Sequence, residues 1–190
     1  MLTGVEIKRK IVHLSTLIVP IGYGLTSEET VLFFLLPFFL GYLLVDLLRH
    51  FHSGTASLFQ KYFFGKVLRE KEKGTLMGST YFLFSSLLTI LLFPKSIAIA
   101  SLLILILSDT AAALVGKWIG GIPIFGKTLE GSMAFLVSSL LIVWNYPQLN
   151  RLSGSFAALG ATLIELLPIR VDDNLTIPLV AGSIMFFGGG

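Results

Sequence analysis

The sequence predicts an all-α protein: one polytopic membrane domain, residues 1–190, of about seven transmembrane helices with a cytoplasmic N-terminus. Hydrophobic residues make up 54% of the chain and charged residues only 13%, and a soluble domain of this length could not cover so much apolar surface. The apolar residues fall into segments of spanning length. The basic residues concentrate on one side of these segments, which predicts their orientation. The chain has no cysteine, so disulfides and thiolate metal sites are excluded.

The seven apolar segments each approach the length that crosses about 30 Å of hydrocarbon. We place them at Ile11–Leu25, Thr30–Leu48, Thr75–Phe93, Ser96–Val115, Ser132–Tyr146, Ser155–Leu167 and Leu175–Phe187. In lipid they must be helices, because no water is there to bond open backbone groups. The first segment follows basic residues as a signal peptide does, but no cleavage site follows it, so we interpret it as a retained helix. The sixth is short, and re-entry of either the sixth or the seventh is left open.

The loop charges predict which side of the membrane each end faces. With seven spans and the N-terminus inside, twelve of the fourteen Lys and Arg residues fall on the cytoplasmic side, and only Lys95 and Arg151 fall outside. The acids follow the same division, because only Glu28 and Glu29 fall outside. Charge of both signs is thus concentrated at one surface. This indicates a polar site at the inner face of a multi-pass cell-membrane protein, not a channel lined from end to end.

Asp109 is the most informative single residue, because an acid at the end of an apolar helix is costly in hydrocarbon and therefore indicates a functional site. Residues without bulk follow on its own helical face: Ala112, Ala113, Gly116 and Gly120. This strip leaves space for a ligand or a metal beside the carboxylate. A structural acid hydrogen-bonded between helices is the alternative, and it leaves the strip unexplained.

The next loop, Gly121–Thr128, matches the pattern G-x-x-x-x-G-K-[ST]. We do not interpret it as a nucleotide-binding P-loop, since it follows a membrane helix instead of a buried strand and contains bulky residues. Gly126, Lys127 and Thr128 nevertheless come just before a helix N-terminus, where backbone N–H groups and a lysine favour phosphate. Glu130 is equally well placed as an acid of the first helical turn or as a metal ligand.

The first helix carries Glu6, Arg9, Lys10 and His13 on one face. Clustering on one face favours an anion site over an ordinary basic flank, although a helix-packing role for His13 is equally favoured. Further along, a local ion pair at a helix end is predicted for Asp46 and Arg49, three residues apart. Residues 51–74 interleave basic and aromatic side chains as interfacial segments do, and a solvated charged loop is the alternative.

The sixth segment repeats the pattern of Asp109, because Glu165 shares a face with small residues. Asp172, Asp173 and Asn174 follow in a short inner loop. Three oxygen-rich residues suit Mg²⁺, while a turn cap is the common alternative. Acids recur at one depth in Asp109, Glu165 and this loop, which favours a metal site. Together with the basic groups, they predict phosphoryl or nucleotidyl transfer to a lipid, a chemistry that depends on positioning and charge neutralisation.

Five blocks spread over residues 6–178 carry a resemblance to a known family. They read E-I-K-R-K-I-V-H, R-E-K-E-K-G-T-L-M-G-S-T-Y-F, S-D-T-A-A-A-L-V-G-K, G-K-T-L-E-G-S and E-L-L-P-x(3)-D-D-N-L-T-I-P. The chain resembles the CTP-dependent kinases of polyprenol (dolichol), phytol and diacylglycerol. The resemblance implies transfer of the γ-phosphate of CTP, or of another nucleoside triphosphate, to the hydroxyl of a membrane lipid. It also implies that these residues belong to the site: Arg9, Lys10, Asp109, Gly116, Lys127, Glu130, Glu165, Asp173 and Asn174.

The expected site contains three overlapping groups of residues. The catalytic group is Asp109, Lys127, Glu130, Arg9, Lys10 and His13, with His13 and Asp109 as alternative bases. The nucleotide-binding group is Arg9, Lys10, Gly116, Lys117, Gly126, Lys127, Thr128 and Asn174. The Mg²⁺ ligands are Asp109, Glu165, Asp172 and Asp173. The expected partners are a lipid alcohol, a nucleoside triphosphate and the bilayer, without nucleic acid, and homo-oligomerisation is left open.

Two other functions are weighed against this expectation. Phosphatidate cytidylyltransferases look related, because they share the S-D-T-x-A and K-T-x-E-G elements. They also carry a terminal H-G-G-x-x-D-R-x-D block where this chain has D-D-N-L-T-I-P, which favours the kinase. A transporter coupled to ions through intramembrane acids would place its acids near the middle of the bilayer, whereas these lie toward one face.

Overall fold

The computed structural model describes residues 4–51 and 75–189, and this part of the chain is almost entirely α-helical. The helices are α1 (Gly4–Ser15), α2 (Ile18–Leu25), α3 (Glu28–Phe51), α4 (Gly78–Leu92), α5 (Lys95–Leu103), α6 (Asp109–Trp118), α7 (Leu129–Trp144), α8 (Arg151–Leu166) and α9 (Asp173–Phe187). A π-helical turn, Ile104–Ser108, joins α5 to α6. A hairpin of two short strands, β1 (Pro123–Ile124) and β2 (Lys127–Thr128), joins α6 to α7. The predicted interfacial loop falls almost wholly within 52–74, outside the described residues.

The all-α class is confirmed, and each predicted apolar segment coincides with helical structure. The first segment covers the end of α1 and all of α2, and the fourth covers α5, the π-helical turn and most of α6. Two stretches, Glu28–Arg49 and Lys95–Trp118, are long and apolar enough to cross a membrane, while α4, α7 and α9 are shorter apolar helices. The crossing of the membrane by all seven segments stays a prediction.

The stretch from Lys95 to Trp118 forms the centre of the bundle, since 67% of its apolar window is buried, whereas only 11% is buried in α3. Ile97, Leu102 and Ile106 are fully buried. At the periphery, Phe33 is 73% exposed in α3 and Leu25 is 82% exposed in α2. Large apolar patches on an outer surface mark contact with a membrane or another protein.

The last two helices run antiparallel along their full length. The end of α9 packs on the start of α8, where a Cβ added to Gly188 would lie 2.6 Å from Ser153 Cβ. At the other end of the pair, Glu165 and Asp173 share Lys127 as a partner. Both helices therefore span the same height of the bundle. Close packing of this kind is typical of membrane helices with small residues at their contacts.

A buried ion pair joins α3 to the start of α4. Arg49 Nη2 lies 2.6 Å from Asp46 Oδ1, which confirms the predicted local pair, and Asp46 is fully buried. Asp46 Oδ2 also accepts hydrogen bonds from Met77 N and Thr80 Oγ1, both at 2.7 Å, while Arg49 Nη2 donates to Thr75 O. Buried charges are stable only when paired and hydrogen-bonded in this way.

Candidate active site

A cavity of about 490 Å³ opens where α1, α6, the hairpin and the facing ends of α7, α8 and α9 meet. Its lining residues are Arg9, Lys10, Asp109, Ala112, Ala113, Gly116, Lys117, Gly126, Lys127, Thr128, Gly131, Ser132, Glu165 and Asp173. The volume is in the usual range of small-molecule sites. Basic and acidic groups alternate along its wall, so the cavity can hold a polyanion together with its counter-charges.

Asp109 lies at the junction of the π-helical turn and α6, at the wall of the cavity. Its Oδ2 is 2.6 Å from Lys10 Nζ, which also donates to the Asp109 backbone carbonyl at 3.1 Å. His13 Nε2 lies 3.5 Å from the same carboxylate oxygen. π-Helical turns occur frequently at functional sites. The first helix is thus held to α6 by the two side chains that the sequence placed on one face with Arg9.

Lys127 forms the second charged group of the cavity. Its Nζ lies 2.9 Å from Glu165 Oε1 and 3.3 Å from Asp173 Oδ2, and it also donates to the Glu165 backbone carbonyl. This single ammonium therefore ties the hairpin to the end of α8 and the start of α9. Asp173 precedes the apolar segment that begins at Leu175. Burial raises the pKa of its carboxyl, the Lys127 charge opposes that rise, and the charge of Asp109 adds to it.

Glu165 is the most deeply placed carboxylate of the cavity, with 5% of its surface exposed. Besides Lys127, it has a neutral partner, because Ser132 Oγ donates to Glu165 Oε2 over 3.2 Å. The sequence reasoning missed Ser132. The available signal was its position four residues after Thr128, which places the two hydroxyl residues on one face of the chain entering α7.

The hairpin presents Lys127 to the cavity. Ile124 pairs with Lys127, which leaves Phe125 and Gly126 as a two-residue turn with φ angles of 49° and 81°. Positive φ at both positions is the mark of a type I′ turn, which matches the twist of hairpin strands. Glycine adopts this conformation freely, whereas a bulky residue such as Phe125 does so under strain.

Glu130 fastens the base of this hairpin and is not among the residues lining the cavity. Its Oε1 accepts hydrogen bonds from Gly121 N at 3.0 Å and from Ile122 N at 3.2 Å. Glu130 precedes the apolar segment of α7. Hydrogen bonds from its own backbone N–H and from those of the loop lower the pKa of its carboxyl. Of the two roles that the sequence left open, this geometry corresponds to the acid of the first helical turn.

Close contact between α6 and α7 forms one wall of the cavity. A Cβ at Gly116 would lie 2.6 Å from Thr128 Oγ1, and one at Gly131 would lie 2.9 Å from the Ala112 carbonyl oxygen. Thr128 is the N-cap of α7 and accepts a hydrogen bond from Gly131 N. Residues with no or small side chains are therefore needed where these two helices meet.

Asp172 and Asn174 lie at the start of α9, outside the set that lines the cavity. Asp172 is the N-cap, and its Oδ1 accepts hydrogen bonds from Asn174 N at 3.1 Å and Asn174 Nδ2 at 2.7 Å. The Asn174 carbonyl accepts a bond from Ser85 Oγ. Among the described residues, no group of three or more His, Asp or Glu side chains is arranged to hold a metal ion. The metal and nucleotide roles of this pair stay predictions.

Most of the predicted site residues are brought together by the fold. The cavity is lined by ten of them: Arg9, Lys10, Asp109, Gly116, Lys117, Gly126, Lys127, Thr128, Glu165 and Asp173. His13 adjoins the cavity through Asp109, while Glu130, Asp172 and Asn174 contact its supporting backbone. Residues up to 164 positions apart in the sequence, Arg9 and Asp173, thus converge on one space.

Comparison with known proteins gives relatives of two kinds. An uncharacterized protein of Rickettsia prowazekii is 38% identical over 92% of this chain and 90% of its own length. CTP-dependent diacylglycerol kinase 1 is 30% identical in Eremothecium gossypii, over 64% of this chain and 47% of the kinase. The Schizosaccharomyces pombe enzyme of that name is 29% identical over 64% and 65%, respectively. The chain spans less than two thirds of either kinase. No family model and no solved structure matches it.

Proposed function

Because the chain belongs to the CTP-dependent lipid kinase family, we propose that it transfers the γ-phosphate of CTP to the hydroxyl of a membrane lipid alcohol. The observation that carries this proposal is one cavity in which lysines and carboxylates from distant parts of the chain are paired: Lys10 with Asp109, and Lys127 with Glu165 and Asp173. Phosphoryl transfer needs this combination of charges more than it needs a covalent apparatus.

The proposed enzyme crosses the cell membrane several times, with its cavity at the cytoplasmic end of the bundle. The distribution of Lys and Arg residues supports this orientation. Lys95 is one of the two basic residues predicted to lie outside. It lies at the end of α5 remote from the cavity, where it donates to the Thr26 carbonyl at 2.8 Å and lies over the ring of Tyr23. A lipid hydroxyl at the inner surface would then lie at the height of the cavity, while its acyl or prenyl chains stay in the bilayer.

The basic groups of the cavity fit a nucleoside triphosphate. Arg9, Lys10, Lys117 and Lys127 all line it, and Thr128 lies beside Lys127 at the N-terminus of α7. In our proposal, Lys10 and Lys127 exchange their carboxylate partners for phosphate oxygens when the nucleotide enters. Phosphate oxygens accept charge-assisted bonds from lysine as carboxylates do, so the exchange leaves no lysine without a partner.

While paired with lysines, the carboxylates of the described residues are not grouped around a metal position. In our proposal, their release from the lysines frees them to hold Mg²⁺, which prefers oxygen ligands. Asp109, Glu165 and Asp173 would hold it, and the bound ion would supply neutralisation of the phosphate charge. In the transfer itself, the lipid oxygen forms a bond to the γ-phosphorus and the bond from that phosphorus to the bridging oxygen breaks, releasing CDP. The hydroxyl proton passes to a base. His13 and Asp109 are both candidates for this base, and their Nε2 and Oδ2 atoms lie 3.5 Å apart.

The deciding experiment uses CTP labelled at either the α or the γ phosphorus. The purified protein is incubated in lipid with Mg²⁺ and with diacylglycerol, phytol, polyprenol or phosphatidic acid, and the products are separated by thin-layer chromatography. We expect γ-label in a lipid monophosphate, and diacylglycerol is the first acceptor to test because the kinases similar to this chain are named for it. Label from the α position, found with phosphatidic acid alone, would instead identify a cytidylyltransferase.

A further inference from the structure

The two described connections beside the cavity expose large apolar side chains. Trp118, the last residue of α6, is 88% exposed, and in the connection that follows it Ile119 is 66% exposed, Ile122 52% and Phe125 65%. In the connection from α8 to α9, the exposed side chains are Leu167, Ile169 and Val171. We call these seven residues the apolar rim. Apolar groups on the sides of membrane helices face lipid, but six of these seven lie in loops and Trp118 ends the adjoining helix, so they need a separate explanation.

The connections at the opposite end of the bundle differ from these two. They comprise residues 26–27, 93–94 and 145–150, are fully within the described part of the chain and expose no large apolar side chain. Within these connections Phe93 and Leu149 are buried, and the large apolar side chains exposed at that end, such as Leu25, Trp144 and Phe187, belong to the helices. The difference between the two ends is therefore not a general property of loops in a hydrophobic protein. The connections with exposed apolar side chains are those on the cavity side.

The rim also carries positive charge. Lys117 precedes Trp118, Arg170 lies between Ile169 and Val171, and both basic residues are exposed. No acid occurs from Lys117 to Leu129, and the next one, Glu130, is bonded to the backbone of the loop. In the second connection Asp172 follows Val171, and its carboxylate accepts hydrogen bonds from Asn174 at the start of α9. Apolar and aromatic residues interleaved with Lys and Arg match the interfacial layer of an anionic membrane, into which the rings insert while the cations meet headgroups.

The backbone conformation of Phe125 indicates that this rim has a function. It has a φ angle of 49° in a turn where Asn or Gly would fit without strain. A strained residue that persists in an exposed position supports a hypothesis of function. Its apolar ring at the tip of the hairpin has no packing role in the bundle core, since it is 65% exposed.

Building on the proposed membrane kinase, we propose that the apolar rim inserts into the interfacial layer of the anionic inner leaflet and sets the depth of the cavity. Phe125 is two residues from Lys127, and Leu167 is two residues from Glu165, which contacts Lys127 at 2.9 Å. The two inserted connections and the charged cavity thus form one unit. Anchoring them in the headgroup layer holds Lys127 at the level where a lipid hydroxyl lies.

Fluorescence can test the insertion without any turnover, because the chain has only two tryptophans. A Trp144→Phe variant leaves Trp118 as the single reporter. In phosphatidylcholine–phosphatidylglycerol vesicles, we expect strong quenching by lipids brominated near the headgroup, weaker quenching by lipids brominated near the chain end, and protection from aqueous iodide. Quenching by iodide without quenching by brominated lipid would overturn the proposal. So would shielding from both quenchers that depends on protein density, because a second copy would then cover the rim.

A pair of variants tests the link between anchoring and acceptor use. Phe125→Asn removes the apolar ring but suits the turn, and Phe187→Asn removes an aromatic ring that is 84% exposed at the other end of the bundle. In mixed micelles, we expect Phe125→Asn to raise the KM for the lipid acceptor about threefold or more, with the KM for CTP and the thermal unfolding unchanged. Equal effects of the two variants would contradict the proposal. If the quenching result holds but no lipid is phosphorylated, the rim is supported and the proposed kinase activity fails.

Discussion

Asp109 contacts Lys10 and His13 at the cavity wall. Its substitution is the most direct test at the scale of single residues. In Asp109→Asn, the side chain keeps its shape but loses the negative charge that faces Lys10 at 2.6 Å. We expect kinase activity to fall by roughly 100-fold or more, because preorganised charge is the main catalytic resource of such a site. Activity is measured by transfer of γ-label, beside thermal unfolding.

The matched control is Glu29→Gln, which makes the same carboxylate-to-amide change at an exposed position remote from the cavity. It should retain activity. Full activity of Asp109→Asn with intact folding would contradict the proposed role of Asp109 as both ion-pair partner and metal ligand.

Ser132 gives a second prediction at this scale, since its hydroxyl is the neutral partner of the buried Glu165 carboxylate. In Ser132→Ala, Glu165 keeps Lys127 but loses one hydrogen bond, so its position is less well defined. Hydrogen bonds to charged groups contribute about 1.5–3 kcal/mol, which corresponds to about tenfold or more in kcat/KM for CTP. Ser138→Ala is the control, because Ser138 bonds only to carbonyls of its own helix. Equal kinetics of the two variants would exclude a positioning role for Ser132.

At the scale of elements, the hairpin depends on Glu130. Replacing it in Glu130→Gln removes the charge that holds the Gly121 and Ile122 N–H groups, and we expect the KM for CTP to rise several-fold as Lys127 becomes less fixed. The pKa of Glu130 is lowered on folding, so its support of the hairpin is complete above the ordinary value of 4.5 and is lost as pH falls through the lowered pKa.

Trp118 emission, recorded in the Trp144→Phe background, can follow this dependence. Wild-type and Glu130→Gln hairpins should differ at neutral pH and converge in acid. A difference that persists unchanged at low pH would show that the carboxylate charge does not hold the hairpin.

The helices could be predicted from the sequence because each is defined by local apolar composition, and the Asp46–Arg49 pair because its members are three residues apart. The cavity could be predicted in part, since Asp109, Lys127 and Glu165 each stand out as charges beside small residues. The contact of Ser132 with Glu165 could not, because the spacing from Thr128 indicates the face on which Ser132 lies but not which residue of another helix it meets. The turn at Phe125 could not be predicted either, since no Asn or Asp precedes Gly126 to indicate a hairpin.

For the whole molecule, the central prediction is that the two ends of the bundle face opposite sides of the membrane. The chain has no cysteine, so the variants Arg170→Cys and Glu29→Cys each introduce a single thiol, at the cavity end and at the far end. In intact cells, a membrane-impermeant maleimide should label Glu29→Cys alone, and Arg170→Cys should react only after permeabilisation. Labelling in the reverse order would place the cavity outside, and labelling of both in intact cells would contradict a spanning bundle.

Asp46 and Arg49 hold together the two points at which the chain leaves α3 and enters α4, because they bond directly to Thr75, Met77 and Thr80. This contact fixes the register of α3 against the start of α4. The entropy of closing a loop grows only slowly with its length. A purification tag or fluorescent domain inserted between positions 52 and 74 should therefore leave α3 and α4 in register, with thermal unfolding unchanged.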